Sequence, residues 1–449
     1  MRVDIVHPGA GELQYEIRGI VHFAQNLQKT GIDIIWENIG DPIAKGEKVP
    51  VWIQDIVADA ARDSFSYAYS PTKGLNEARE YLSKTRSQET GATLLPESIL
   101  FFNGLGDAIT KTYTWLNPIA RVLGPSPAYP THSSVEGAHG RSRHQTYNLD
   151  PDNNWLPDLA DINEKIKNNP NITALLIINP DNPTGMVYPV EVLKEFVALA
   201  KEYNLFLIAD EIYANLVYDK ADFTSLAELI DGVPAIIMRG LSKEVPWPGS
   251  RCGWLEFYNV DADPAFQHYV NSLEEAKMIE VCSTTLPQMV LPKILSDSRY
   301  RPYVQSRTKQ YNERAKLAAE LLNGIDGVRV VEPRGAFYLT LNFEQGFLQK
   351  SRYLKAANKE ASSLLSQEVE ALDSTELDKL FCYQLLASTG LCVVPLSSGF
   401  NSHKPGLRMT LLEADADTFK KTLHILASAL RDYATSDSIA EVSRQAVLE

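Results

Sequence analysis

The sequence is poor in cysteine. Four cysteines occur among 449 residues, and none forms a C-x-x-C pair: Cys252, Cys282, Cys382 and Cys392. Zinc sites and disulfide frameworks need closely and regularly spaced cysteines. The sequence therefore predicts no metal site, and it predicts four reduced, mostly buried thiols, as is typical of a cytoplasmic protein.

Basic charge and long apolar runs are also scarce. The chain has 43 Lys and Arg against 57 Asp and Glu, a formal net charge of -14. An acidic surface argues against nucleic acid or an anionic membrane as a partner, because both bind basic patches. No run approaches about 18 apolar residues, which excludes a membrane-spanning helix. The start, Met1-Arg2-Val3-Asp4, lacks the apolar core of a signal peptide.

Strand-like and helix-like patterns alternate through the middle of the chain. With 44% hydrophobic and 22% charged residues, the composition is that of a globular protein with one large and one small domain. Helical patterns such as Asp107–Leu116 and Val190–Lys201 separate short apolar runs. The clearest runs are Ile99–Phe102, Ala174–Ile178, Leu205–Ala209, Ala235–Met238 and Trp254–Phe257. Alternation of this kind predicts an α/β fold with a mostly parallel sheet, whose ligand lies beyond the carboxyl ends of the strands.

The two ends of the chain lack the regular alternation of helices and strands that the middle of the chain shows. An amphipathic helix is predicted over Glu12–Leu27 and a strand over Ile32–Trp36. Late strands are predicted at Val328–Val331, Gly335–Leu339, Leu391–Pro395 and Leu407–Leu411, with a polar helical segment over Leu348–Leu380 and a last helix over Asp417–Tyr433. We expect residues 45–330 to form the large domain, and residues 1–44 and 331–449 to form a smaller α+β domain with an N-terminal arm.

Lys243 ends a buried strand in the stretch Met238–Lys243. A lysine is costly to desolvate, so its place at the end of a parallel strand needs a reason. One reason is a Schiff base with an aldehyde cofactor, and the alternative is a surface lysine in a turn. Arg251 follows eight residues later, with Pro246, Pro248 and Gly249 between. It is suited to bind a phosphate through two parallel N–H contacts, or it lies in a surface loop.

Asp210 and Asn182 follow two other apolar runs. A carboxylate at the end of a buried strand needs a cationic partner, for example a protonated pyridine nitrogen, unless Asp210 caps a helix. Tyr213 is placed for its hydroxyl to reach a ring oxygen. Asn182 lies in the loop Asn179–Gly185, which two prolines and a glycine make rigid. It could donate a hydrogen bond to the same ring oxygen, or the loop is a plain turn.

Three further motifs are weaker when taken alone. Asn103–Asp107 follows a strand and begins a helix. This segment is suited to bind a phosphate, or its glycines simply form the turn between strand and helix. Pro125–Pro130 fixes Tyr129, which could stack on a flat heterocycle or could simply be a core tyrosine. Arg408 lies between apolar residues of a late strand. It is suited to bind a substrate carboxylate, or it forms a structural ion pair.

Taken together and in this order, the motifs resemble those of the fold-type-I pyridoxal-phosphate (PLP) aminotransferases of class I/II. The similarity covers nearly the whole chain and looks strongest to the bacterial alanine aminotransferase branch. The matching stretches are Tyr15–Gly19, Asn38–Pro42, Tyr67–Leu75, Pro127–Pro130, Asn179–Gly185, Ala209–Tyr213, Gly240–Gly253 and Gly335–Tyr338.

The resemblance implies a role for each matched residue. Lys243 would carry the cofactor and move the proton, Asp210 would pair with the pyridinium nitrogen, and Tyr129 would stack on the ring. Tyr213 and Asn182 would hold the ring oxygen, and Gly104, Leu105, Ser242 and Arg251 would bind the phosphate. Arg408 and Gly40 would bind the α-carboxylate, with Tyr15 and Arg18 near the substrate. Tyr69 would reach the phosphate of a neighbouring subunit, which implies a homodimer with shared sites.

The implied activity is ping-pong transfer of an amino group from an L-α-amino acid to a 2-oxo acid, of alanine/glutamate type or of broad specificity. A cysteine-S-conjugate β-lyase on the same fold is the alternative, because it uses the same cofactor residues. A regulator built on an inactive aminotransferase is less favoured, because Lys243, Asp210 and Arg251 are intact and the stretch before Asn38 is short. One departure from the family is Gly106, where relatives usually have a serine or threonine that would contact the phosphate.

Overall fold

The computed structural model describes residues 5–13, 15–218, 221–371 and 376–436. Strands within these ranges are β1 Ile35–Trp36, β2 Ile99–Asn103, β3 Arg121–Ser126, β4 Thr146–Asp150, β5 Leu156–Pro157, β6 Ile172–Ile178, β7 Phe206–Asp210, β8 Ala235–Gly240, β9 Cys252–Tyr258, β10 Val328–Val330, β11 Tyr338–Phe343, β12 Leu391–Cys392, β13 Val394–Pro395 and β14 Gly406–Thr410. The strands from β2 to β9 form one large sheet, and most of the rest form a small one.

The large sheet has the order β2-β9-β8-β7-β6-β3-β4-β5. Its centre is parallel, and β9 runs antiparallel to both of its neighbours. The apolar runs are buried on both faces, because alternate residues of β6, β7 and β8 pack into cores on opposite sides of the sheet. The carboxyl ends of the parallel strands and the start of β9 therefore meet at one edge.

Helices cover both faces of this sheet and join it to the small one. They are α1 Glu16–Gln28, α2 Val51–Ala61, α3 Asn76–Thr90, α4 Leu105–Thr114, α5 Pro130–Gly140, α6 Leu159–Asn168, α7 Val190–Tyr203, α8 Leu241–Glu244, α9 Pro264–Glu280, α10 Thr285–Leu295, α11 Tyr300–Leu322, α12 Lys359–Ala371, α13 Leu377–Thr389, α14 Leu396–Phe400 and α15 Ala416–Thr435. Among the described residues, none of these helices has the length and apolarity that crossing a membrane requires.

The small sheet is antiparallel, with the order β10-β11-β14-β13. β1 pairs with β12, so the first and last parts of the chain join in one layer. Residues 334–336 connect the two sheets. The backbone N–H of Gly335 donates to Gly185 O at 2.8 Å, and that of Ala336 donates to Leu216 O at 2.7 Å. This contact places the start of β11 at the edge where the large sheet's parallel strands end.

The central strands and helices lie close to their predicted positions. Three predictions at the chain ends began too early: α1 begins at Glu16, β1 is confined to Ile35–Trp36, and β11 runs over Tyr338–Phe343 instead of Gly335–Leu339. The predicted polar helix over Leu348–Leu380 forms only in part, since 348–358 has no helix and α12 and α13 are separate. Residues 372–375 of it lie outside the described ranges. The division at 44/45 and 330/331 stays a prediction.

All four cysteines carry free thiols. Cys252, Cys382 and Cys392 are buried, and Cys282 is half-buried. Burial raises the pKa of Cys252 to about 12, so this thiol stays protonated at neutral pH. The three buried cysteines therefore act as small apolar side chains of the core.

Candidate active site

The candidate site lies where the parallel strands of the large sheet end. Asp210 is the last residue of β7, Asn182 follows β6, and Lys243 lies in α8 directly after β8. Because β9 is antiparallel, its start brings Arg251 to the same edge. The motifs that were separate in the sequence are thus neighbours, as expected for ligand sites in open parallel sheets.

The Lys243 side chain points toward a carbonyl rather than a carboxylate. Its Nζ donates to Gly40 O at 2.7 Å. The pKa of Lys243 is lowered to about 8, mainly by burial and also by the charges of Arg408 and Arg251, while Asp41 and Asp210 act in the opposite direction. A lysine amine with a pKa near neutrality is a nucleophile and a proton carrier.

Asp210 is held by a buried chain of hydrogen bonds that the sequence did not predict. Its Oδ2 lies 3.1 Å from His132 Nε2, and His132 Nδ1 lies 3.2 Å from the Tyr113 hydroxyl. Asp210 Oδ1 accepts the Ile212 N–H at 3.1 Å, which closes a turn where we had allowed for a helix cap. The charge of Asp210 raises the pKa of Lys243, so this carboxylate is suited to stabilise a cation in the site.

Arg408 is a buried guanidinium without a carboxylate partner among the described residues. It is 1% exposed, donates to Asn38 O, and donates to Asn182 Oδ1 at 3.4 Å. Its Nε has no partner, and its guanidinium lies over the rings of Tyr338 and Phe400 at 4.5 and 4.9 Å. Burial lowers the pKa of Arg408. An unpaired buried cation of this kind is suited to an incoming carboxylate.

Arg251 and the start of α4 form a second anion-binding position. Gly104 precedes α4 with φ +85°, and a Cβ there would lie 2.3 Å from Arg251 Nη2. Arg251 donates to Asn103 O at 3.2 Å and to Pro248 O at 3.1 Å. Leu105 begins α4, and a Cβ on Gly253 would lie 2.8 Å from its backbone N. Tight glycine packing thus holds a guanidinium beside free helix N–H groups, which suits a phosphate.

Two tyrosines line the site between Asp210 and Arg408. The Tyr213 hydroxyl lies 3.0 Å from that of Tyr338. Burial raises the pKa of Tyr213 well above its usual range, so its hydroxyl stays protonated and can donate. A Cβ on Gly40 would lie 2.1 Å from the Tyr338 hydroxyl, so only glycine allows this approach.

Asn182 and Tyr129 are placed by rigid loops, each of which contains a cis proline bond. Asp181 anchors the Asn182 loop by accepting the Thr184 N–H at 3.0 Å and the Thr184 hydroxyl at 2.5 Å. Burial raises the pKa of Asp181 to about 7. The Tyr129 hydroxyl lies 3.2 Å from that of Tyr15, so the N-terminal arm reaches the site.

Two predicted residues are not brought into contact with the rest. Arg18 is exposed in the first turn of α1, and Tyr69 is 81% exposed on the surface of the chain. Ser242 is buried in α8 next to Lys243. The cofactor and substrate roles of all these residues stay predictions.

Sequence reasoning assigned no role to His132, Tyr338 or Phe400. His132 had one available signal, since it lies three residues after Tyr129 in the helix that Pro130 begins. Tyr338 belongs to the stretch Gly335–Tyr338, but its link with Gly40 joins distant parts of the chain. Phe400 gives no sequence signal, because its contact with Arg408 depends on how α14 packs.

The fold and these side chains define a class of protein, the fold-type-I aminotransferases, in which a lysine after a parallel strand faces an aspartate at the end of a neighbouring one. The family described as aminotransferase class I and II matches residues 33–418. The chain belongs to this family and is an amino-acid aminotransferase.

Known proteins support this assignment. An uncharacterized aminotransferase of Methanocaldococcus jannaschii is 48% identical over 433 residues, covering 96% of this chain and 99% of the relative. The glutamate-pyruvate aminotransferase AlaA of Escherichia coli is 32% identical over 330 residues, covering 72% and 79%. The structure of an alanine aminotransferase from Pyrococcus furiosus superposes with a TM-score of 0.81 at 25% identity, covering 94% of this chain and 99% of that one.

Proposed function

We propose that this aminotransferase uses pyridoxal 5'-phosphate to transfer the amino group of L-alanine or L-glutamate to a 2-oxo acid. The observation that carries the proposal is the set of three cationic side chains, Lys243, Arg251 and Arg408, that converge beside Asp210 without a carboxylate ion pair among the described residues. The names of the Escherichia coli and Pyrococcus furiosus proteins support the alanine/glutamate type.

The residues present fit the cofactor. The glycine cradle at Gly104, the adjoining N–H groups of α4 and the Arg251 guanidinium suit its phosphate, with Leu105 and Ser242 beside them. Asp210, steadied by His132, would face the protonated pyridine nitrogen. Tyr213 and Asn182 would hold the ring oxygen, and Tyr129 would cover the ring. The bound cofactor supplies an electron sink for the charge left when the α-proton is removed.

The protein's own residues would position the substrate and move its proton. Arg408 would bind the α-carboxylate through its unpaired edge, with Gly40, Asn182 and Tyr15 around it. The Lys243 amine would take the α-proton and return it, a role for which its pKa of about 8 suits it. Tyr213 would keep its proton and donate throughout. A second substrate would then run the same steps in reverse, which makes the kinetics ping-pong.

We also propose a homodimer with shared sites, in which Tyr69 completes the phosphate site of its partner. Tyr67 and Tyr69 are 80% and 81% exposed, and Ile279 is 82% exposed nearby in the fold. The Ser70 hydroxyl donates to Ser283 O at 3.1 Å and that of Thr285 to Ala68 O at 2.6 Å, so the two segments adjoin. Exposed apolar side chains grouped in this way mark an interface. The predicted cytoplasmic location stays a prediction.

The decisive experiment mixes the cofactor-loaded protein with single amino acids and follows the loss of the cofactor's visible absorbance. L-alanine and L-glutamate should be the fastest substrates, and adding pyruvate or 2-oxoglutarate should restore the spectrum. Lys243→Ala should abolish turnover. Full transaminase activity in that variant would contradict the assignment of Lys243.

A second reaction, with cystathionine as the substrate, distinguishes an aminotransferase from the alternative β-lyase. An aminotransferase should release no pyruvate from cystathionine in the absence of a 2-oxo acid. Steady pyruvate release faster than alanine turnover would contradict the proposed activity. Nothing in the site or among the relatives described above favours the lyase.

A further inference from the structure

Residues 37–47, here called the Gly40 loop, connect the two functional ends of the site. The loop carries Gly40, whose carbonyl accepts the Lys243 ammonium, and Asn38, whose carbonyl accepts Arg408. Glu37, at one end, pairs with Lys45 inside the loop, and Glu47, at the other end, pairs with Arg307 outside it.

Hydrogen bonds from Thr410 to Glu37 attach the first end of the loop to the strand that carries Arg408. The Glu37 carboxylate is fully buried and accepts Lys45 Nζ at 2.7 Å and the Thr410 hydroxyl at 2.5 Å. The Thr410 N–H also donates to Glu37 O at 3.1 Å. Thr410 lies two residues after Arg408 in β14, so this end follows the carboxylate-binding side of the site.

The second ion pair attaches the loop to the helix that carries Lys243. Arg307, in α11 and 4% exposed, donates to both carboxylate oxygens of Glu47. The hydroxyls of Tyr311 and Tyr303 donate to the same carboxylate at 2.8 and 3.2 Å. The remaining nitrogen of the guanidinium, Nη1, donates to Lys243 O at 2.9 Å and Glu244 O at 2.8 Å.

These contacts close a ring around the lysine. From Lys243 Nζ the ring passes to Gly40 O, along the loop to Glu47, through Arg307, and back to the carbonyl of Lys243. The last carbonyls of α8 have no partner inside so short a helix, and a planar guanidinium is the side chain that can satisfy two of them and a carboxylate together. Lysine at position 307 could keep the charge but not this geometry.

We propose that Arg307 is a positioning residue for Lys243, which acts by holding the Gly40 loop against α8 through Glu47. The loop limits the access of water to the lysine amine and keeps the Gly40 carbonyl within its reach. The consequence for catalysis rests on the proposed function, whereas the effect on the Lys243 amine is a property of the cofactor-free chain. A release of the loop would let water in, and the pKa of Lys243 would rise toward its usual value.

The test measures the pH dependence of Lys243 acetylation by acetic anhydride in the cofactor-free protein, read by mass spectrometry of the peptide that carries Lys243. The wild-type midpoint should lie at about 8, because burial, Arg408 and Arg251 lower the pKa of Lys243 while Asp41 and Asp210 raise it. Arg307→Lys and Glu47→Ala should raise the midpoint by about one pH unit or more, toward the ordinary lysine pKa of about 10.4.

Arg121→Lys is the matched control, because Arg121 forms a comparably buried pair with Glu136 at 2.6 Å, at the end of β3 away from the site. It should lower thermal stability but leave the midpoint unchanged. The Glu47 side chain is 17% exposed and that of Arg307 is 5% exposed. We therefore expect Glu47→Ala to fold even if Arg307→Lys does not, so the midpoint can still be measured. A folded Glu47→Ala protein with the wild-type midpoint would overturn the proposal.

In the cofactor-loaded enzyme, both variants should lower kcat about tenfold and leave KM for the amino acid within twofold. An α-deuterated substrate should show a larger isotope effect on kcat in the variants, because proton transfer by Lys243 becomes slower. An unchanged kcat alongside a shifted acetylation midpoint would overturn the link to catalysis. If wild-type enzyme has no transaminase activity, the proposed function fails while the acetylation result still decides the role of Arg307.

Discussion

The burial of the Lys243 amine lowers the free energy of unfolding of the cofactor-free protein at neutral pH. Its pKa falls from 10.5 to about 8 on folding, so the unfolded chain binds more protons between these values. The free energy of unfolding should therefore rise as the pH goes from about 8 to 10.5. Below pH 8 the folded protein bears the full cost of burying a charged Lys243. Lys243→Met should raise stability at pH 7 by about 1–2 kcal/mol, since the half-buried amine keeps part of its solvation.

This prediction is checked by thermal unfolding of both cofactor-free proteins at pH 7 and pH 10. The gain from Lys243→Met should shrink markedly at pH 10, where wild-type Lys243 is largely neutral. Lys201→Met is a suitable control, because Lys201 is 44% exposed and pairs with an exposed aspartate. An equal gain at both pH values would contradict the charge penalty.

At the scale of single residues, sequence reasoning found the side chains that lie at strand ends. Lys243, Asp210 and Arg251 were predictable because each follows or precedes an apolar run, and parallel topology brings such positions together. His132, Tyr338 and Arg307 were not, because their partners lie 78, 125 and 260 residues away in the chain. Nothing local in the sequence indicates contacts of that separation.

At the scale of elements, the proposed phosphate site at the start of α4 depends on backbone geometry, because Gly106 offers no side-chain hydroxyl. Gly104→Ala would force a Cβ into φ +85° and within 2.3 Å of Arg251 Nη2. The strain costs about 1–2 kcal/mol, and the displaced guanidinium adds to it. We expect at least about a tenfold weaker cofactor affinity, measured by fluorescence titration of the cofactor-free protein.

Gly106→Ala is the matched control within the same turn. A Cβ at Gly106 meets no atom within 4 Å, and alanine favours the helix. Its cofactor affinity should stay within about threefold of wild type. Equal losses in the two variants would show that general helix destabilisation, rather than the Gly104–Arg251 contact, weakens binding. The same open space explains how the hydroxyl usual at this position can be absent without a packing defect.

Helices and strands were predictable where the hydrophobic pattern is strong. Their boundaries were not predictable where tertiary contacts determine where an element ends. The stretches Ala174–Ile178 of β6 and Ala235–Met238 of β8 are apolar throughout, because both faces of the sheet are buried, and they were recognised. β1 has only two residues because it pairs with β12, from the far end of the chain, over just that length. A local pattern cannot show where such a pairing stops.

At the scale of the whole molecule, the exposed aromatic surface makes a prediction about assembly. If Tyr69 serves the partner's site, a Lys243→Ala subunit still offers an intact Tyr69, and a Tyr69→Ala subunit still offers an intact Lys243. Each variant alone should be impaired. A mixed dimer should contain one fully wild-type site, roughly half the wild-type number of sites.

Co-expression with two different affinity tags and purification through both tags isolates the mixed dimer. Its kcat per dimer should approach half that of wild type, and KM should equal the wild-type value. The control pairs Lys243→Ala with Asp210→Ala, which both lie in the same chain's site. Each mixed dimer of this pair has one site carrying Lys243→Ala and one carrying Asp210→Ala, so it has no intact site and no activity should return. An inactive Tyr69 pair would contradict a Tyr69 supplied by the partner subunit, and recovered activity in the control would contradict the placement of Lys243 and Asp210 in the site of one chain.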